Sequence, residues 1–217
     1  MGSDERARFI RAHTAIAAPG LVPEIRLHLA TEVTPLWQAT ESLLEKSQLP
    51  PPYWAFAWPG GQALARHVLD HPELARGRAV LDIGAGAGLV AIAAARCGGK
   101  VAAADPDPFA ATAIALNAAL NGVALDIVTQ DLIGASGAAW QTVLAGDMCY
   151  ERPLAERLIA WLRPMALRGI TVLLGDPGRA YLPKHGLSEI ARHAVPTSLE
   201  LEDKTSRETV IWRLEPG

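Results

Sequence analysis

Residues Val80-Leu81-Asp82-Ile83-Gly84-Ala85-Gly86-Ala87-Gly88, followed by the apolar run Leu89 to Ala95, decide how the rest of the chain is read. They spell a buried strand, a glycine turn and the first turns of a helix. In an open α/β sheet that junction is where a nucleotide-like ligand sits. Asp82 sharpens the reading, because a carboxylate just ahead of the glycines is placed to receive a cationic amino group. Dinucleotide folds lack that acid and space their glycines G-x-G-x-x-G, whereas the spacing here is G-x-G-x-G. The plainer alternative is an ordinary strand–turn–helix joint that happens to use glycine.

Outward from this stretch the chain alternates strand and helix. Strand 79–83 leads to helix 88–97, strand 100–104 to helix 107–120, and strand 124–128 to a loop at 129–139. Strand 141–146 is followed by helix 153–163, and strand 170–175 by helix 183–193. Two late strands, 195–202 and 207–214, read as a hairpin around the polar Asp203 to Arg207 turn. Helical segments of this length between strands imply right-handed parallel crossovers. Ahead of this region, residues 4–18 read as a helix, 26–30 as a short strand and Thr34 to Glu45 as an amphipathic helix with Pro35 at its first position. Pro50-Pro51-Pro52 then forces extended backbone, and a helix follows from Gln62 to Asp70. With 217 residues, 50% of them hydrophobic, the chain suits one well-buried core. It is read as a single domain, with 1–48 a helical extension and 49–217 the core.

The glycines with Asp82 look like motif I of the class I (seven-strand) S-adenosylmethionine-dependent methyltransferases. That resemblance implies an α/β, Rossmann-like fold: a mostly parallel seven-stranded sheet, a C-terminal antiparallel hairpin, and helices on both faces. The order of elements read above agrees with it. Asp105 ends the strand Val101-Ala102-Ala103-Ala104, about twenty residues beyond the glycines, where Rossmann-like folds place an acid on the ribose hydroxyls. Asp107 follows as a helix cap, which is also the bland reading of Asp105. Asp131 follows the third strand; in this fold that position accepts from the adenine exocyclic amine while Leu132 packs on the ring. Trp58 and Trp140 are candidate adenine or ribose walls, or plain core tryptophans.

The substrate question falls on Leu144-Ala145-Gly146-Asp147-Met148-Cys149-Tyr150-Glu151, at the end of the next strand. Nucleic-acid amino methyltransferases often carry an [ND]-P-P-[YF] box there. Asp147 and Tyr150 instead resemble the D-x-x-Y element of enzymes that modify lysine on proteins. Together with Tyr53-Trp54-Ala55-Phe56-Ala57-Trp58-Pro59-Gly60-Gly61-Gln62-Ala63-Leu64-Ala65-Arg66, the resemblance narrows to the lysine methyltransferase family of the electron-transfer flavoprotein beta subunit, over roughly residues 30 to 214. Cys149 departs from the aromatic residue common beside the tyrosine in related enzymes, which touches the width of the lysine channel. The resemblance implies S-adenosylmethionine as methyl donor and lysines of the flavoprotein as acceptors. Asp147 would then orient the amine and Tyr150 would wall its aliphatic stem. Asp147→Asn is accordingly expected to keep cofactor affinity and thermal stability while losing methyl transfer; the alternative is that Asp147 caps the helix beginning near Pro153.

Composition trims the other classes. A formal charge of −3 with no basic stripe argues against a nucleic-acid partner. Cys97 and Cys149 give no disulfide framework. No apolar run reaches the roughly 20 residues of a membrane span. The N-terminal Arg6, Arg8 and Arg11 are mixed with Asp4 and Glu5 and lack an apolar core, so neither a secretory signal nor an organellar presequence is expected. The expectation is a cytoplasmic monomer. His67 and His71 share a helix at i, i+4 and read as a solvated face rather than a metal pair, and no metal site is expected. A small-molecule N-methyltransferase of the same fold is the main alternative; a nicotinamide-dependent oxidoreductase and a non-catalytic flavoprotein-binding module rank below it.

Overall fold

The computed structural model describes residues 1–30, 51–136 and 140–216. In chain order the elements are α1 (Ser3–His13), β1 (Ala15–Ala17), β2 (Leu27–Leu29), α2 (Pro59–Asp70), β3 (Ala79–Ile83), α3 (Leu89–Arg96), β4 (Lys100–Ala104), α4 (Pro108–Leu120), β5 (Asp126–Val128) and β6 (Thr142–Gly146). These are followed by α5 (Arg152–Leu167), β7 (Thr171–Asp176), β8 (Leu187–Pro196), α6 (Leu199–Glu202) and β9 (Ser206–Leu214). The helix expected over 34–45 lies outside the described residues. Among the described residues, no helix is long and apolar enough to cross a membrane.

Seven strands form one sheet in the order β5-β4-β3-β6-β7-β9-β8. Strands β3 to β7 run parallel, whereas β9 pairs antiparallel with both β7 and β8. The order reverses direction at β3, which has β4 on one side and β6 on the other. Alternation along each strand divides the core. Val80, Val101, Ala103, Leu144 and Leu173 face the layer built with α2 and α3. Leu81, Ala102, Val143, Val172 and Leu174 face α5. Strands buried on both faces read as continuous apolar runs, and that is why β3, β4, β6 and β7 were legible.

Four elements differ from the sequence reading. The helix expected over 4–18 stops at His13; Thr14 is extended, its hydroxyl donating to the Ile10 carbonyl at 2.6 Å. Ala15–Ala17 then pairs antiparallel with Leu27–Leu29, a partner that local spacing does not reveal. The expected helix 183–193 and strand 195–202 are also replaced. The hairpin is real, but its first strand is β8, which pairs with β9 from Leu187–Leu214 to Pro196–Ser206. The segment after it contains the short helix α6 and the turn at Asp203. A β-bulge between Glu189 and Ala191 shifts the alternation by one residue, so Leu187, Ile190 and Ala191 fall at helical spacing inside a strand. Finally, α5 runs through Pro164 to Leu167, one turn beyond the expected end.

Candidate active site

The carboxyl ends of the parallel strands meet at the reversal beside β3, the position where open α/β sheets bind ligands. The β3–α3 turn is held there by the N–H groups of Gly84 and Ala85, which both donate to the Ala104 carbonyl at 2.9 and 3.1 Å. Gly84 and Gly86 have φ of 68° and 52°, backbone that favours glycine. A Cβ on Gly84 would lie 2.1 Å from Met148 Sδ, so a side chain there would collide with the loop after β6.

The two acids that flank this turn take different positions. Asp82 is 2% exposed, and its Oδ2 accepts from the Ala91 N–H at 2.9 Å, inside the first turn of α3. It is the expected site residue that does not line the cavity, so the direct contact with a ligand amino group expected of it is not what its geometry offers. Burial pushes its pKa up to about 8. Asp105, in contrast, lines the cavity. Its two oxygens each accept one backbone N–H, Oδ2 from Gly86 at 2.9 Å and Oδ1 from Asp107 at 3.0 Å. Burial raises its pKa against those two hydrogen bonds. Asp107 caps α4, accepting from the Phe109 N–H at 2.8 Å as its position suggested, and burial pushes it up to about 6.

A single cavity of about 680 Å³ gathers Gly84, Gly86 and Asp105 with Trp58, Asp131, Leu132, Asp147 and Tyr150. Asp131 is tied down: its Oδ2 pairs with Arg157 at 2.7 Å and its Oδ1 accepts from the Ile133 N–H at 3.0 Å. The hydrogen bond from Arg157 holds its carboxyl below the usual range. Trp140 instead packs against the α5 side of the sheet. The histidine pair is a solvated face only at His71, which is exposed; His67 is buried, and desolvation lowers its pKa to about 4.

At the other end of the cavity Asp147 is 8% exposed with φ of 57°, left-handed backbone in a non-glycine residue. Its Oδ2 accepts from the Gly61 N–H at 3.0 Å, in the first turn of α2. Its Oδ1 accepts from Arg179 Nε and Nη2 at 3.2 and 2.8 Å. Burial pushes the carboxyl up to about 6, with Arg179 the main opposing influence. The cap alternative is therefore corrected in detail: Asp147 accepts from the first turn of α2, whereas α5 has Glu151 at its N-cap position and no side-chain cap. Thermal stability also cannot be indifferent to Asp147, because an ion pair and a helix terminus both depend on it.

α2 reaches Asp147 because Gly60, Gly146 and Gly175 let backbone approach backbone. A Cβ on Gly60 would lie 2.1 Å from the Gly175 carbonyl oxygen, and one on Gly146 would lie 2.9 Å from Gly61 Cα. The segment before α2 supplies an aromatic wall. Tyr53 meets Tyr150 edge-on at 5.6 Å and Trp58 at 5.9 Å, and Trp58 Nε1 donates to the Tyr53 carbonyl at 2.9 Å. Arg179, Met148 and Arg157 also line the cavity, and sequence reasoning passed over all three. For Arg179 a signal existed: Asp176-Pro177-Gly178-Arg179 is a turn at the carboxyl end of a parallel strand, on the ligand side of the sheet.

These residues fit S-adenosylmethionine. Each oxygen of Asp105 keeps a lone pair for one of two vicinal hydroxyls, the space above Gly86 is open to 4.0 Å, and Leu132 and Ile133 offer an apolar wall for a base.

Comparisons with known proteins agree with this geometry. The ribosomal protein L11 methyltransferase (PrmA) family matches residues 63–145. The electron transfer flavoprotein beta subunit lysine methyltransferase of Xenopus laevis is 40% identical over 96% of this chain and 86% of its own length. The Danio rerio protein of the same name is 42% identical over 97% of this chain and 83% of its own. Among solved structures, magnesium protoporphyrin IX methyltransferase from Synechocystis PCC 6803 with bound SAM superposes with a TM-score of 0.52 at 21% identity, covering 71% of this chain and 79% of that one. This last likeness speaks for the Rossmann-like methyltransferase fold. With the fold and both near-full-length relatives in agreement, the chain belongs to the electron transfer flavoprotein beta subunit lysine methyltransferase family of S-adenosylmethionine-dependent enzymes.

Proposed function

We propose that this enzyme methylates lysine side chains of the electron transfer flavoprotein beta subunit, acting as a cytoplasmic monomer on protein rather than nucleic acid. The observation that carries the reading is that one cavity joins Gly84, Gly86 and Asp105 at one end to Asp147 and Tyr150 at the other. Asp105 receives the ribose hydroxyls, and Asp131 with Leu132 holds the adenine. Asp82 acts from behind, fixing the first turn of α3 and with it the glycine turn.

When bound, S-adenosylmethionine supplies a methyl group already activated on a sulfonium, so the chain's own work is alignment and exclusion of water. Trp58, expected from the sequence as an adenine or ribose wall, instead stands beside Arg179 and Tyr53; with Tyr53 and Tyr150 it lines the acceptor end and gives the aliphatic stem of a lysine an apolar wall. A lysine arrives protonated, with a reference pKa of about 10.4, and loses its proton to solvent at the mouth before the amine enters. Asp147 then accepts a hydrogen bond from the neutral amine and aims its lone pair down the cavity. The carboxylate orients; it is not required as a base.

The test is incubation of the enzyme and S-adenosylmethionine with the flavoprotein beta subunit, followed by mass spectrometry. Added methyl groups on lysine are expected. An unmodified subunit alongside rapid methylation of a small amine would replace this reading with a small-molecule N-methyltransferase.

A further inference from the structure

Arg179 lines the acceptor end of the cavity and has no part in the function proposed above. Its backbone is fixed by the turn after β7, where Asp176 Oδ1 accepts from the Gly178 and Arg179 N–H groups at 2.7 and 2.6 Å. Its guanidinium lies over the Trp58 ring, 5.7 Å from the centroid. Two carboxylates share it. Nε and Nη2 reach Asp147 Oδ1 at 3.2 and 2.8 Å, and Nη2 also reaches Glu202 Oε1 at 2.5 Å. Glu202 is itself buried and ion-paired with Arg207 at 3.1 Å, so the guanidinium is braced from behind.

A carboxylate oxygen has two lone pairs. Both acceptor positions of Asp147 Oδ1 are taken by Arg179, whereas Oδ2 receives only the Gly61 N–H among the hydrogen bonds of the described residues. One position remains, on Oδ2. We propose that Arg179 is a positioning residue which, by filling Oδ1 of Asp147 while braced on Glu202, leaves Oδ2 as the oxygen that receives the acceptor amine. The proposal rests on the role given to Asp147 above. A planar guanidinium fixes both the position and the rotation of a carboxylate, which a point charge does not.

The groups facing Asp147 are Arg179 and Asp176 from the end of β7 and the turn after it, Cys149 from its own loop, the N-terminal turn of α2, and Glu202 with Arg207 across the guanidinium. Of these, Arg179 is the cation in direct contact, so its removal leaves Asp147 beside Asp176 with, among the described residues, the Gly61 N–H to favour its charged form.

The experiment uses the full chain and the variants Arg179→Ala, Arg179→Lys and Glu202→Gln. Turnover of the flavoprotein subunit is measured at saturating S-adenosylmethionine, and the Asp147 carboxyl is titrated by carbon NMR in the protein without cofactor. Arg179→Ala should lower kcat on the order of 10²-fold, the scale of a misaligned reacting group, with little change in acceptor KM, and should move the Asp147 titration upward. Arg179→Lys should restore the titration but only part of kcat, and Glu202→Gln should lower kcat less than Arg179→Ala. A purely architectural Arg179 would lower the melting temperature while kcat per folded molecule and the Asp147 titration stayed at wild-type values, and that result would overturn the proposal. If Arg179→Ala does not fold, wild-type kcat in Arg179→Lys overturns it instead. Failure of the functional reading is separate: the wild-type enzyme would then leave the flavoprotein unmodified, while the titration still reports whether Arg179 governs Asp147.

Discussion

The Gly86 N–H donates to Asp105 Oδ2 at 2.9 Å, joining the glycine turn after β3 to the acid that ends β4. The bond orients the carboxylate across the mouth of the neighbouring strand and leaves lone pairs on both oxygens for a diol. Asp105→Ala should therefore weaken both S-adenosylmethionine and its demethylated product. Loss of one charge-assisted hydrogen bond is worth roughly 1.5–3 kcal/mol, about a tenfold to hundredfold rise in Kd. Calorimetry on the variant checks this, with NAD(H) expected to be silent throughout; unchanged Kd values would remove Asp105 from the cofactor site.

Asp147→Asn should abolish most methyl transfer while cofactor Kd stays near wild type. The structure adds a second expectation. Arg179 is left with Glu202 as its remaining carboxylate partner, and thermal unfolding should show a loss of about 1–3 kcal/mol, the range for a buried polar group deprived of its partner. Wild-type turnover in this variant would refute the assignment of Asp147 to the acceptor.

Asp82 makes stability depend on pH. Its pKa in the folded protein is about 8, above the ordinary 3.8, so between these values the folded state binds more protons than the unfolded one. Stability contributed by Asp82 is then fully present below about pH 4 and lost as pH rises toward 8. Asp107 and Asp147, both pushed up to about 6, bend the wild-type curve the same way, whereas His67, lowered to about 4, bends it oppositely. The useful quantity is the difference curve. Asp82→Asn should gain stability relative to wild type as pH rises from 4 to 8, by denaturant titration. A flat difference would mean that Asp82 is solvated.

Gly60 and Gly61 form a matched pair. In an ordinary helix, alanine in place of glycine stabilises by about 1 kcal/mol. At Gly60 the added methyl would meet the Gly175 carbonyl at 2.1 Å and Asp147 Oδ2 at 2.5 Å, whereas at Gly61 it meets nothing within 4 Å. Gly60→Ala should destabilise by roughly 1–3 kcal/mol or more, the usual cost of overfilling a close contact, and should lower turnover by displacing Asp147. Gly61→Ala should be neutral or slightly stabilising. Melting temperatures of the two variants decide the matter.

The legible parts of this fold were those whose local pattern matches their final environment. β3, β4, β6 and β7 are apolar runs because both faces are buried, and the glycine turn announces itself through backbone geometry that few other residues tolerate. β8 was misread because its bulge breaks the alternation at the place where alternation would have identified it. The candidate site divides similarly. Asp105, Asp131, Asp147, Tyr150 and Trp58 all reach one cavity because each sits at or just beyond the carboxyl end of a strand, or ahead of α2. Asp82 sits within its strand, and the alternating side-chain direction sends its carboxylate under the helix instead. The pairing of Arg179 with Asp147, 32 residues apart in sequence, arises only when β6 and β7 lie side by side.

The reversal of strand order at β3 has a consequence for how such an enzyme changes over time. On the roles assigned above, the donor is held from one flank, by the turns after β3, β4 and β5, while the acceptor is met from the other, by β6, β7 and α2. The two sets of side chains share a crevice but are carried by different strands. Selection can therefore reshape one flank, and with it the range of amines admitted, while the other continues to bind the same donor: β3 is the seam along which an old chemistry can be given new targets.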